Sequence, residues 1–151
     1  MSALDLPEPL TPPDCDLQDF GFMPLHVGRL RDSELVDLST GDEFKAAVLL
    51  WAYAWHQVPA ASLPDDDRIL AKRSGAGPDW PTVKAMALRG FEKCSDGRLY
   101  HPLIAQAACD AWQRRDDHHR IGFQSRLAAL DVDEASRRRA RPLFPRAGQR
   151  R

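Results

Sequence analysis

Apolar and polar positions fall into short periodic blocks, and the clearest block is helical. Phe44, Ala47, Val48, Trp51, Ala54, Trp55 and Val58 recur at three- and four-residue intervals, the spacing of an apolar stripe along one helix face. Thr40-Gly-Asp-Glu43 precedes them with capping-box spacing, and Asp42 and Glu43 stand where the positive end of the helix dipole favours carboxylates. Pro59 stops the pattern. Trp51 and Trp55 lie one turn apart on the stripe and are read as core rather than as a base-stacking pair.

A second, shorter helix is expected over 63–75 (LPDDDRILAKRSG), capped by Asp65 or Asp66, with Ile69 and Leu70 inward and Gly75 as its terminator. Asp79 then caps a third helix that carries Pro81 in its first turn, where the missing N–H costs nothing. Val83, Met86, Ala87 and Phe91 are its core-facing candidates. The pattern changes after Gly90. Asp96-Gly97 between the runs 91–94 and 98–101 is a two-residue hairpin signal. From Pro102 a further helix carries Leu103, Ile104, Ala107, Ala108, Ala111 and Trp112, running on to about Leu130 with an interruption near Gly122. The strip FMPLHVG (22–28) suits a strand or an extended arm laid on the core.

The expected fold is mainly α with a small β-hairpin, a winged helix-turn-helix-like single domain with disordered tails. Residues 1–20 are read as an acidic, proline-rich tail, 21–130 as the domain, and 131–151 as an arginine-rich tail. In such a fold the third helix enters a major groove and the hairpin lies along the backbone.

Composition bounds this picture. At 151 residues the chain has length for one core, and 43% hydrophobic with 28% charged residues fits a globular protein. No apolar run approaches the roughly 20 residues of a membrane span. The N-terminus has acid and proline where a signal peptide has lysine and an apolar stretch, so a cytoplasmic location is expected. Cys15, Cys94 and Cys109 form no C-x-x-C pair, and Cys94 and Cys109 are read as small apolar residues. There is no phosphate loop, dinucleotide fingerprint or nucleophile elbow, so no enzyme and no cofactor are expected. Asp116, Asp117, His118 and His119 are the only dense cluster of metal-capable side chains. Consecutive histidines on a helix point about 100° apart, so the cluster is read as a polar face and not as a metal site.

The net charge of −1 hides a gradient. Residues 1–20 contribute −5, residues 137–151 contribute +7, and the rest contribute −3. Within the rest, residues 68–98 carry +4. An arginine-rich end and a basic helix-and-hairpin segment are the footprint of a phosphate backbone, so double-stranded DNA is the expected partner. Arg73, Lys84 and Arg89 are the groove-facing candidates, Lys93 and Arg98 the hairpin contacts, and Arg137, Arg138, Arg139 and Arg141 part of a sequence-blind clamp. The alternative is a protein-interaction module, which the acidic balance of the central region favours.

FMPLHVG with Asp32, the stretch Leu38–Trp55, SLPDDDRILA (62–71), Trp80 and FEKCSDGRLYHPLI (91–104) together resemble the YdaU-like family, a domain of unknown function common in phages and prophages. The resemblance covers about residues 22–112. It implies a winged-helix module of the replication-initiation type, binding DNA at an origin or recruiting a replicative helicase. Leu143-Phe144 between prolines loosely resembles the peptides that dock on the bacterial sliding clamp.

Overall fold

The computed structural model describes residues 5–139, without the side chains of 118–123 and 131–139. Its described part is mainly helical with a small three-stranded antiparallel sheet. Two short helices, α1 (Val27–Arg31) and α2 (Glu34–Leu38), lead into α3 (Gly41–Trp55). Strand β1 (Ser62–Leu63), helix α4 (Asp67–Arg73), a 3-10 turn at Gly77–Asp79 and helix α5 (Trp80–Ala87) follow. Strands β2 (Glu92–Lys93) and β3 (Leu99–Tyr100) precede α6 (Pro102–Arg139). Residues up to Gln113 make one compact unit and those from Arg114 a second.

The capping box forms as read: Thr40 Oγ1 accepts from the Glu43 amide and Glu43 Oε1 accepts from the Thr40 amide, each at 3.3 Å. The buried face of α3 is broader than the predicted stripe. Ala46, Ala47, Leu50, Ala54 and Trp55 are buried, while Val48 and Val58 are exposed. The reason is that α3 serves two hydrophobic clusters. Ala46, Leu50 and Ala54 meet Leu63, Leu70, Trp80, Val83, Ala87 and Leu99. Trp55 instead joins Cys15, Leu17, Ala60, Ala61, Ile104, Ala105 and Ala108. One stripe fills one groove; two neighbouring rows fill two.

Helix α4 begins at the second of its two expected caps, Asp66, which accepts from the Arg68 amide at 2.9 Å. It stops at the positive-φ Gly75 (φ +74°), a conformation glycine adopts without a Cβ penalty. Leu70 is buried, but Ile69 is 38% exposed. Leu63, the first residue of the stretch read as that helix, lies with Ser62 in β1 instead. The sheet order is β1-β3-β2, with Ser62 opposite Tyr100 and Lys93 opposite Leu99. The predicted hairpin is therefore present, widened by a strand too short to show alternation. Its turn is fixed by Asp96, which accepts from the Arg98 amide at 3.0 Å and from the Tyr100 hydroxyl at 2.6 Å. Burial first, and then that bond to Asp96, push the Tyr100 phenol well above its ordinary value.

Three expectations need correction. Residues 7–20 are not a solvated tail. Thr11, Cys15 and Leu17 are buried, the Thr11 hydroxyl donates to the Ala60 carbonyl at 2.7 Å, and the Ala60 amide donates to the Cys15 carbonyl at 2.9 Å. The Ser95 amide reaches the Pro7 carbonyl at 2.8 Å, tying the same segment to the hairpin. Proline prevents regular structure but does not prevent burial of the apolar residues between prolines. The strip 22–28 is no strand: it is irregular to His26 and then enters α1. Finally, α6 runs without interruption through Gly122 to Arg139, so regular structure continues past residue 130. One glycine inside a helix costs about 1 kcal/mol relative to alanine, too little to break it. In the second unit residues 124–130 are exposed, Leu127 and Leu130 among them.

Leu17→Ala is expected to destabilise the protein by about 2–4 kcal/mol, because it empties a fully buried position. Urea unfolding measures it, and a midpoint equal to that of the unaltered chain would return 7–20 to the status of a tail.

Candidate nucleic-acid interface

The three consecutive acids at the start of α4 organise the charged face. Asp66 caps the helix, and the two flanking carboxylates do something else. Asp67 Oδ1 accepts from Trp80 Nε1 at 3.0 Å and pairs with Lys84 Nζ at 2.8 Å. Asp65 pairs with Lys93 Nζ at 3.1 Å. One triplet thus reaches both α5 and β2. A further ion pair joins Arg89, just beyond α5, to Glu34 at the start of α2. Three of the sequence-derived contact candidates, Lys84, Arg89 and Lys93, are accordingly paired with carboxylates. Extending the +4 segment back over Asp65–Asp67 lowers it to +1.

Arg98 also bonds within the chain. Its Nε donates to Ser62 Oγ at 2.8 Å and a terminal nitrogen donates to Gln57 Oε1 at 3.0 Å. It clips β3 to β1 and to the end of α3, a positioning role for the hairpin. Arg73 lies with its guanidinium 4.8 Å from the centre of the Tyr53 ring, a cation–π contact.

Around that contact is a feature the residue pattern underplayed. Tyr53 on α3 and Arg68, Ile69, Lys72 and Arg73 on α4 line an open concavity, with Asp66 at its edge. Arg68 bonds to Asp66, while Lys72 and Arg73 have no ion pair to a carboxylate among the described residues. Arg68 and Lys72, one turn apart, and the adjacent Arg73 beside an aromatic face suit an anion with a planar neighbour. The run Arg68–Arg73 was visible as charge; its meeting with Tyr53 needed the α3–α4 packing. Arg137, Arg138 and Arg139 belong to α6, but their side chains lie outside the described residues, as does all of Arg141.

Other chemistry is sparse. Burial pushes the Cys15 thiol up to about 11, far from a thiolate nucleophile at neutral pH. The Cys94 and Cys109 thiols are raised chiefly by burial as well. Among the described residues no group of three or more His, Cys, Asp or Glu side chains is placed to hold a metal ion. The side chains of His118 and His119 lie outside the described residues. No described helix is long and apolar enough to cross a membrane.

Residues 21–109 match the family described as a protein of unknown function, DUF1376. The match covers more than half of the chain, and the chain belongs to that family. No curated protein and no solved structure matches it.

The Asp67 arrangement predicts an acid-side effect. The Lys84 ammonium first, and then the Trp80 indole N–H, hold the Asp67 carboxyl below the usual carboxylate range. The unfolded chain therefore binds this proton more readily. The stabilisation is present above about pH 4 and is lost as pH falls through the lowered folded value. Asp67→Asn is expected to make stability fall less steeply on the acid side in a pH series of urea midpoints; an unchanged acid limb contradicts the pairing.

Proposed function

We propose that the chain is a non-enzymatic, winged-helix DNA-binding protein of the phage or prophage replication-initiation type, acting in the cytoplasm. The observation that carries this reading is topological. Helices α3, α4 and α5 are followed by the β2–β3 hairpin, and β1, between α3 and α4, adds to the sheet beside β3. On this reading α5 is the groove-entering helix and the hairpin the wing. The YdaU-like resemblance supports the phage setting and the replication role.

Pairing of Lys84, Arg89 and Lys93 to carboxylates does not forbid phosphate contact. These side chains are about half exposed, and exposed ion pairs contribute about 0–1 kcal/mol each. A phosphate exchanges with the carboxylate at small cost, whereas Lys72 and Arg73 supply charge with less competition. Arg98 sets the hairpin, and the arginines at 137–139 and 141 add sequence-blind affinity.

A second reading, an interaction module that recruits or inhibits a replication protein such as a helicase or the sliding clamp, draws on the same ion pairs and on exposed apolar residues at 22–38. Its Leu143-Phe144 element lies outside the described residues.

A mobility-shift titration on duplex DNA at two salt concentrations tests the proposal. Affinity should fall with salt at a slope of about −0.9 per phosphate contacted. Asp65→Asn with Asp67→Asn should raise low-salt affinity several-fold, and Lys72→Gln with Arg73→Gln should lower it about tenfold. Absence of duplex binding at low salt sinks the DNA reading and leaves the interaction module.

A further inference from the structure

Helix α3, the start of α6 and the segment 23–35 line a half-open pocket of about 130 Å³. Its lining is predominantly apolar, with Leu25, Leu30, Leu35, Trp51, Leu103 and Ile104 contributing. The volume is close to the roughly 150 Å³ engineered cavity that accepts benzene, and well below the roughly 300 Å³ where drug-sized sites begin. It holds one large apolar side chain.

Two polar atoms of the lining residues are unsatisfied. Trp51 Nε1 and His101 Nδ1 are buried without a hydrogen-bond partner. A third such atom, Trp55 Nε1, belongs to a residue outside the lining. Buried polar groups in folded proteins are nearly always bonded, and each exception asks for an explanation. The His101 ring is fixed as well as buried. It stands edge-on to Trp51 and to Phe91, with ring centres 5.8 and 5.1 Å away. A Cβ on Gly90 would come within 2.7 Å of His101 Nε2. Burial lowers the His101 pKa, so the ring is neutral at pH 7 and offers one donor and one acceptor.

The surroundings indicate a macromolecule. Leu25 and Leu103 at the pocket, and Phe22, Val27 and Leu38 beside its lining residues in the chain, are each at least half exposed. Large exposed apolar side chains gathered around a pocket mark interaction sites. Arg29 is the charged residue of the lining. It has no ion pair among the described residues, whereas its neighbour Arg31 is taken by Asp32.

We propose that this pocket is a docking site for a linear acidic segment of a partner protein. One large apolar side chain enters the pocket, and a flanking carboxylate meets Arg29. The docking proposal does not rest on the DNA-binding reading.

The test uses the full chain, labelled with ¹⁵N, and follows its four tryptophan indole N–H resonances, with Trp51→Phe assigning the one concerned. The probe is the peptide acetyl-Asp-Leu-Asp-amide, compared with acetyl-Asp-Ala-Asp-amide and acetyl-Asn-Leu-Asn-amide. The leucine peptide should shift the Trp51 resonance saturably. The alanine peptide should bind at least about tenfold more weakly and the asparagine peptide several-fold more weakly. Arg29→Gln should abolish the difference between the two leucine peptides, and Ala107→Leu, which fills the lined space, should remove binding. A Trp51 resonance unmoved by the leucine peptide, or moved equally by the alanine peptide, overturns the proposal. The peptide series on the unaltered chain decides the matter even if Ala107→Leu disturbs the fold.

Discussion

The architecture of the first unit depends on one helix being buried along two adjoining rows. The Ala46–Leu50–Ala54 row of α3 receives α4, α5 and the sheet, while Trp55 receives the N-terminal segment and the start of α6. Alanines on the first row let α5 approach closely, and the indole of Trp55 fills the wider gap on the other side. Phe91, at the entrance to the hairpin, packs against both clusters. Interiors are close-packed and tolerate little change in volume. The position of the charged face and the walls of the apolar pocket are therefore both consequences of how α3 is held.

What could be read from residues alone follows the range of the interactions involved. Local signals were sufficient where they decide the outcome: Thr40 and Glu43 start α3, Gly75 stops α4, and Asp96-Gly97 turns the hairpin. Elements fixed by distant partners were not legible. Ser62–Leu63 becomes a strand because Leu99–Tyr100 is available beside it, and two residues carry no periodicity. Cys15 and Leu17 are buried because the loop after α3 offers the backbone of Ala60, which no pattern in a proline-rich stretch announces. Asp65–Asp67 was read as capping, correctly for Asp66 alone; the bonds of Asp65 and Asp67 to β2 and α5 arise from packing. The same holds for the candidate site. The cations were visible as residues, but their carboxylate partners and the Tyr53–Arg73 contact were not.

The charge distribution accordingly has a different meaning from the one the arithmetic gave. A +4 segment in the sequence becomes a face on which acid and base alternate, with Lys72 and Arg73 beside Tyr53 as its least compensated part. Under the DNA-binding proposal, association on such a face is modest and salt-sensitive, with phosphate replacing carboxylate, rather than driven by the strong field of an overall basic domain. The apolar pocket carries a separate recognition chemistry with little charge. Taken together, the two proposals describe a protein that joins a nucleic acid to a protein partner.

Backbone amide chemical-shift mapping with a short duplex at low salt tests the central claim most directly. The account predicts shifts concentrated on residues 68–73, 80–89 and 92–98, diminishing together as salt is raised. Absence of shifts across those residues, or shifts confined to the lining of the apolar pocket, contradicts it.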